Sequence, residues 1–250
     1  MIEGIRDGVR IETSEKRVRA YLAGRKVVDS GQPVMVWEKQ AYPTYYFRRA
    51  DVLAELIPTS EFRRSAGRGD GIVHDIQVPE ATASGAAILY VDSPIEELRD
   101  LVRIDWDAMS EWFEEDEIVY THPRNPYTRV DILPSSRHLR VEVAGVTVAE
   151  TRQPRLLFET GLPTRYYIPL TDVRMELLSP SSSQSYCPYK GVAAYLTFAT
   201  ADTIKPDIAW IYRTPLPESQ KIAGLVSFYN ERARIYVDGV LQELPRTALA

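Results

Sequence analysis

The chain has 250 residues, 44% hydrophobic, 26% charged and 10% aromatic, which excludes a disordered or collagen-like protein and leaves room for one large domain or two small ones. Thirty basic against 35 acidic residues give a net charge of −5, an argument against a dedicated nucleic-acid binder. A single cysteine, Cys187, excludes an internal disulfide and any zinc site needing two thiolates.

The opening MIEGIRDGVRIETSEK has no apolar core of signal-peptide length, and no run approaches the roughly 20 apolar residues of a membrane span. A soluble, cytoplasmic protein is expected. The chain then repeats itself. Gly24 aligns with Gly145, Pro33 with Pro154, Glu38 with Glu159, Tyr45–Tyr46 with Tyr166–Tyr167, Asp51–Val52 with Asp172–Val173 and Glu55 with Glu176, each pair 121 residues apart. A looser match sets Ile88 and Tyr90 against Trp210 and Tyr212, and Leu98, Leu101, Val102 and Ile104 against Ile222, Leu225, Val226 and Phe228. A repeat of this length predicts a duplicated domain, residues 11–131 and 132–250, meeting at Leu133-Pro134-Ser135-Ser136.

In the first half, Asp51 is placed to cap a short helical turn, and Gly67-Arg68-Gly69-Asp70-Gly71 reads as a mobile turn. Trp106, Met109, Trp112 and Phe113 fall at helical spacing among seven acids, which predicts a short acidic helix leading out of the domain. The following Arg124, Arg129, Arg137 and Arg140 suggest ion pairs across the domain junction. The second half opens with short β-branched segments, Val141–Val143, Val146–Val148 and Leu156–Phe158, separated by Ala144-Gly145 and Arg152-Gln153-Pro154. That is hairpin chemistry. Arg165–Ile168 continues it to Pro169, Asp172 repeats the cap, and Ser179–Ser185 reads as flexible. Strands follow at Ala193–Phe198, Ile208–Tyr212, Leu225–Tyr229 and Ile235–Val237. Short strands without long intervening helices predict an all-β, antiparallel architecture with one minor helix.

Trp112-Phe113-Glu114-Glu115-Asp116-Glu117, His122-Pro123-Arg124-Asn125-Pro126-Tyr127, Gly161-Leu162-Pro163-Thr164-Arg165-Tyr166-Tyr167 and Cys187-Pro188-Tyr189-Lys190-Gly191 together resemble a tandem member of domain-of-unknown-function family 427. The resemblance covers nearly the whole chain and implies two pseudo-symmetric β-tent-like (Mss4-like) domains. It brings no established reaction. Many members carry a nucleotidyltransferase label, but the single Asp-x-Asp, Asp105-Trp106-Asp107, has no Gly-Ser phosphate turn upstream. β-tent relatives often hold zinc on two Cys-x-x-Cys pairs, which one cysteine cannot supply.

The candidate site residues concentrate in the second repeat. Cys187 and Lys190 are three apart in a Pro- and Gly-flanked loop, where a neighbouring ammonium would favour the thiolate; against this, a lone cysteine often serves as a small buried hydrophobe. Aligning Gly71 with Gly191 sets Asp70 against Lys190 and Gly67 against Cys187, as if the two loops had diverged. Glu159, Arg165, Tyr166 and Tyr167 form a second cluster, with Glu159 a possible general base. Glu38 and Tyr45–Tyr46 repeat it while Thr44 replaces Arg165. Trp210 and Tyr212, two apart on a strand, share a face and offer aromatic walls. Each set also has a purely structural reading as ion pair or core.

His74, His122 and His138 form no ligand-spaced pair, and no Walker loop, dinucleotide fingerprint or Ser-His-Asp order occurs. No metal or cofactor is therefore expected. Three functions fit: a binding protein for a small polar or aromatic molecule, an enzyme using Cys187 or Glu159 with Lys190, and an interaction module presenting the acidic helix. The first is the leading expectation, with no nucleic-acid or membrane partner.

Overall fold

The computed structural model describes residues 3–6, 8–38 and 41–245. The chain divides into two compact units, residues 1–125 and 126–250. The first holds β1 (Glu3–Arg6), β2 (Val9–Thr13), β3 (Val18–Leu22), β4 (Arg25–Ser30), β5 (Val34–Trp37) and β6 (Thr44–Arg48). It continues with β7 (Glu55–Ser65), β8 (Gly69–Val78), β9 (Ala81–Leu89), β10 (Leu101–Ile104), β11 (Glu111–Glu114) and β12 (Glu117–Ile118). The second holds β13 (Val130–Pro134), β14 (Leu139–Val143), β15 (Val146–Thr151), β16 (Arg155–Glu159), β17 (Arg165–Ile168) and β18 (Leu178–Cys187). After these come β19 (Gly191–Ala199), β20 (Ile204–Ile211), β21 (Val226–Phe228), β22 (Arg234–Val237) and β23 (Val240–Leu241).

Each unit is all-β, with a large and a small antiparallel sheet. The large sheets run β1-β2-β5-β6-β10-β9-β8-β7 and β13-β16-β17-β21-β20-β19-β18; the small ones run β12-β11-β3-β4 and β15-β14-β22-β23. Core strand orders therefore correspond one for one, as a duplication requires. Ala144 and Gly145 take φ of 50° and 80° between β14 and β15, matched by Ala23 and Gly24 at 49° and 75°, the tight-turn backbone expected of two-residue hairpins.

Period-two alternation gives the large sheet two buried faces. One face packs the small sheet: Tyr166, Ile168, Phe198, Ile208 and Phe228 meet Val141, Val148 and Ile235 in the second unit. The opposite face carries a separate cluster of Ile132, Leu157, Tyr167, Ala193, Trp210, Tyr212 and Ile222. In the first unit that outer face carries Tyr46, Ile88 and Tyr90.

Several sequence expectations are corrected. Residues 106–110 are turns and Glu111–Glu114 is strand, paired to β3 with Trp112 opposite Ala20. The helical spacing came from a turn that folds Trp106 back onto Trp112, ring centroids 4.5 Å apart, with the Trp112 indole N–H donating to the Trp106 carbonyl at 2.9 Å. Most of the segment's acids are solvent-exposed, and Glu114 is the buried exception. Glu114 is 5% exposed and accepts from the Tyr45 hydroxyl at 2.9 Å and the Lys16 ammonium at 2.7 Å.

Arg124, Arg129, Arg137 and Arg140 pair with Glu117, Asp131, Asp238 and Glu142, each inside its own unit. Asp51 and Asp172 end 3-10 turns rather than capping them, and accept from Ser30 at 2.6 Å and Thr151 at 2.5 Å. The serine run lies in β18, paired to β19 at its two ends across an irregularity between Pro180 and Gln184, and Ser183 and Ser185 bond Asp207 and Tyr195. Among the described residues no helix is long and apolar enough to cross a membrane.

Candidate functional site

The outer face of the second unit's large sheet builds a cavity of about 130 Å³. Glu159, at the end of β16, and Lys190, in the β18–β19 turn, form an ion pair across it, their side chains 8% and 11% exposed. Arg165 starts β17 and grips Glu231 with both guanidinium arms at 2.7 and 2.8 Å. Its plane also lies 5.6 Å from the Trp210 ring and 5.9 Å from Tyr229, cation–π range. The Trp210 indole N–H donates to the Tyr167 hydroxyl at 3.0 Å. Tyr195 and Tyr229 stack with ring planes 9° apart, completing an aromatic wall.

Burial pushes the Tyr167 and Tyr212 phenols well above their usual pKa. Burial and the Tyr195 hydroxyl do the same for Tyr229. All three stay protonated at neutral pH and can donate hydrogen bonds. Among the described residues, one Glu159 carboxylate oxygen is bonded, by Lys190. Tyr212 is 5% exposed, lines the cavity, and its hydroxyl has no hydrogen-bond partner among the described residues. The Ser227 hydroxyl is buried and likewise unpartnered.

Of the residues singled out from sequence, Glu159, Arg165, Tyr167, Lys190, Trp210 and Tyr212 all line this one cavity. Two do not. Tyr166 is next to Tyr167 on an extended strand, so it points to the other face and joins the inter-sheet core. Cys187 ends β18 opposite Gly191, half-buried and outside the lining. Sequence reasoning missed Leu157, Leu162 and Ala193, and it left Tyr195 and Tyr229 as mere neighbours; all five line the cavity. Their alternation with core residues along β16, β19 and the end of β21 was the available signal.

The first unit carries a counterpart at a different register from the sequence alignment. Ser65 pairs with Gly69 at the tip of β7–β8, and Cys187 with Gly191 at the tip of β18–β19. Gly69 and Gly191 both have positive φ, 86° and 94°, and both lie against the loop after the next strand, at Pro94 and Leu216. The equivalents are therefore Gly69 with Gly191, Arg68 with Lys190 and Ser65 with Cys187, two residues from the alignment on Gly71. The Gly67–Gly71 stretch is no free turn. Gly71 cannot bear a side chain, because a Cβ there would come within 2.3 Å of Ile88.

Arg68 pairs with Glu38, as Lys190 does with Glu159, so a cation at this place is common to both halves. The units differ one strand away. In register, Arg103 stands between Tyr46 and Ile88, and Ser227 between Tyr167 and Trp210. The Arg103 side chain reaches Glu38 at 2.9 Å, and Arg68 stacks 5.4 Å over Tyr90 while donating to the Tyr46 hydroxyl at 3.0 Å. Two arginines thus fill in the first unit the space that Ser227 and the slimmer Lys190 leave in the second. The first unit's own cavity, also about 130 Å³, lies instead beside Thr44, among Glu38, Arg103, Trp106 and His122. In the second unit Arg165 occupies that side.

Among the described residues no group of three or more His, Cys, Asp or Glu side chains is placed to hold a metal ion. No curated protein matches the chain. The family described as domain of unknown function (DUF427) matches it twice, over residues 10–115 and 131–239, each match lying in one half of the duplication. Together these matches span most of the sequence, and the chain belongs to that family, carrying its domain in tandem.

Proposed function

We propose that the second unit binds a small polar or aromatic molecule in the Glu159–Lys190–Trp210 cavity. The observation that carries this reading is that the Glu159–Lys190 pair and the Tyr212 side chain share one pocket with an aromatic wall. A bound molecule would use the hydrogen-bonding capacity that these groups keep open to the pocket. At about 130 Å³ the cavity approaches the roughly 150 Å³ that accommodates a benzene ring and falls well below the 300 Å³ or more usual for drug-sized ligands. The occupant is one ring or one end of a longer molecule. The chain's net charge of −5 favours a small-molecule partner over nucleic acid.

An enzyme at the same place is the second reading, favoured by the buried carboxylate–ammonium pair at the cavity wall. Glu159 with Lys190 would move a proton there. Cys187 has less support as a nucleophile, because the Lys190 ammonium is directed to Glu159 rather than to the thiol.

A thermal-shift screen of metabolites against wild type, Lys190→Ala and Tyr212→Phe tests the binding reading. A true ligand stabilises the native state by about 2.7 kcal/mol at 100 times its Kd. The expected result is a shift in wild type that is abolished in Lys190→Ala and reduced in Tyr212→Phe. A shift of equal size in all three proteins would place the ligand elsewhere and overturn the assignment.

A further inference from the structure

The hydrogen-bonding groups of this cavity specify more than its size, if the binding reading above is granted. The formal charges in its wall cancel in pairs, Glu159 with Lys190 and Arg165 with Glu231, and all four side chains are 11% exposed or less. An anionic ligand would set a second negative charge beside Glu159, and a cationic one a second positive charge beside Lys190. Either adds a charge that the paired wall does not compensate, the costly outcome in such an environment. A neutral ligand leaves both pairs intact.

The groups left over have a definite order. Glu159 offers its second carboxylate oxygen, an acceptor. Lys190 uses one of its three N–H groups on Glu159 and keeps two donors. Because the two side chains are in contact, the free acceptor and the free donors lie side by side. Tyr212 adds a hydroxyl with no other partner among the described residues, held protonated by burial. A ligand that matches them presents one N–H and one C=O next to each other on a planar frame. Beyond them stand Trp210 and Tyr229, ring centroids 4.7 Å apart, and the space admits a single ring.

We infer that the group recognised in this cavity is an uncharged amide borne on or within one planar ring, its N–H donated to Glu159 and its C=O accepting from Lys190. Exocyclic primary amides and lactams share this edge, whereas a trans secondary amide turns its N–H away from its C=O. Ser227 is what makes the arrangement available: in the first unit Arg103 instead bonds both Glu38 carboxylate oxygens, at 2.9 and 3.5 Å.

Isothermal titration with four matched probes tests the inference: benzamide and 2-pyridone as the amides, benzoate as the anion and benzylamine as the cation. Both amides are expected to bind wild type at least tenfold more tightly than either charged probe. Tyr212→Phe, which removes one hydroxyl without changing shape, is expected to weaken amide binding by about tenfold, the effect of one hydrogen bond. Lys190→Met strips the positive charge from the pair, so preference is expected to invert toward benzylamine.

Tightest binding of benzoate or benzylamine to wild type would overturn the amide inference while leaving the cavity a binding site. Failure of all four probes alongside a Lys190-dependent metabolite hit of another class would do the same. Failure of the probes and of the metabolite screen together would overturn the binding reading itself.

Discussion

Arg165→Met is expected to destabilise the second unit by about 3–5 kcal/mol. Arg165 and Glu231 are 10% and 4% exposed at the side chain and joined by two parallel hydrogen bonds. Methionine replaces the length of the arginine but not its charge, so the buried Glu231 carboxylate loses both charged hydrogen bonds that Arg165 donates to it. Replacing both residues, Arg165→Met with Glu231→Leu, is expected to recover most of the loss, because desolvating the pair offsets much of its attraction. Urea unfolding followed by the fluorescence of Trp210, which lies under the guanidinium, gives both numbers. A loss below about 1 kcal/mol, the range of a surface pair, would show that the contact is not buried in solution.

Glu38→Gln is expected to destabilise the first unit by about 3 kcal/mol, the low end for a broken buried pair, since its partners Arg68 and Arg103 are 17% and 16% exposed. The same pair makes the unit acid-sensitive. Burial alone would raise the Glu38 carboxyl, but Arg103, the Tyr46 hydroxyl and Arg68 together hold it below its ordinary value. A carboxyl depressed in the folded state contributes stability that is fully present above the unfolded value of about 4.3. That contribution is lost as pH falls through the lower folded value. Wild type should therefore lose first-unit stability on acidification below about pH 4, while Glu38→Gln lacks this component. Urea midpoints taken across that range, read at Trp112, test it; parallel pH curves for the two proteins would contradict the depressed carboxyl.

Much of this arrangement was legible in the sequence, and the failures have specific causes. The constant spacing of Gly24–Gly145, Glu38–Glu159 and Tyr46–Tyr167 is what a duplicated strand framework leaves behind, and the strands it predicts are present. Trp210 and Tyr212, two apart, necessarily share a face. The same rule should have excluded Tyr166, since neighbours on a strand cannot line one pocket. The acidic helix failed because a tight turn followed by a strand also places tryptophans at 106 and 112 in contact.

The hairpin alignment failed for a different reason. Gly69 and Gly71 are conformationally different glycines, one needed for positive φ and one for lack of volume. Aligning the wrong one hid the Arg68–Lys190 equivalence. The exchange of Arg103 for Ser227 was visible in the looser alignment. Its meaning was not, because which strand face holds Glu38 depends on cross-strand register that no local pattern specifies.

The second unit, and not its counterpart, is proposed to hold the open site. Of the four tryptophans, Trp106 and Trp112 line the first unit's cavity and Trp210 the second's. Indole N–H resonances of ¹⁵N-labelled protein, with Trp210 assigned through Trp210→Phe, can be followed during titration with benzamide. Saturable movement of the Trp210 resonance, with those of Trp106 and Trp112 unchanged, is the predicted result. Movement of Trp106 or Trp112 while Trp210 stays fixed would place the site in the first unit and contradict the claim.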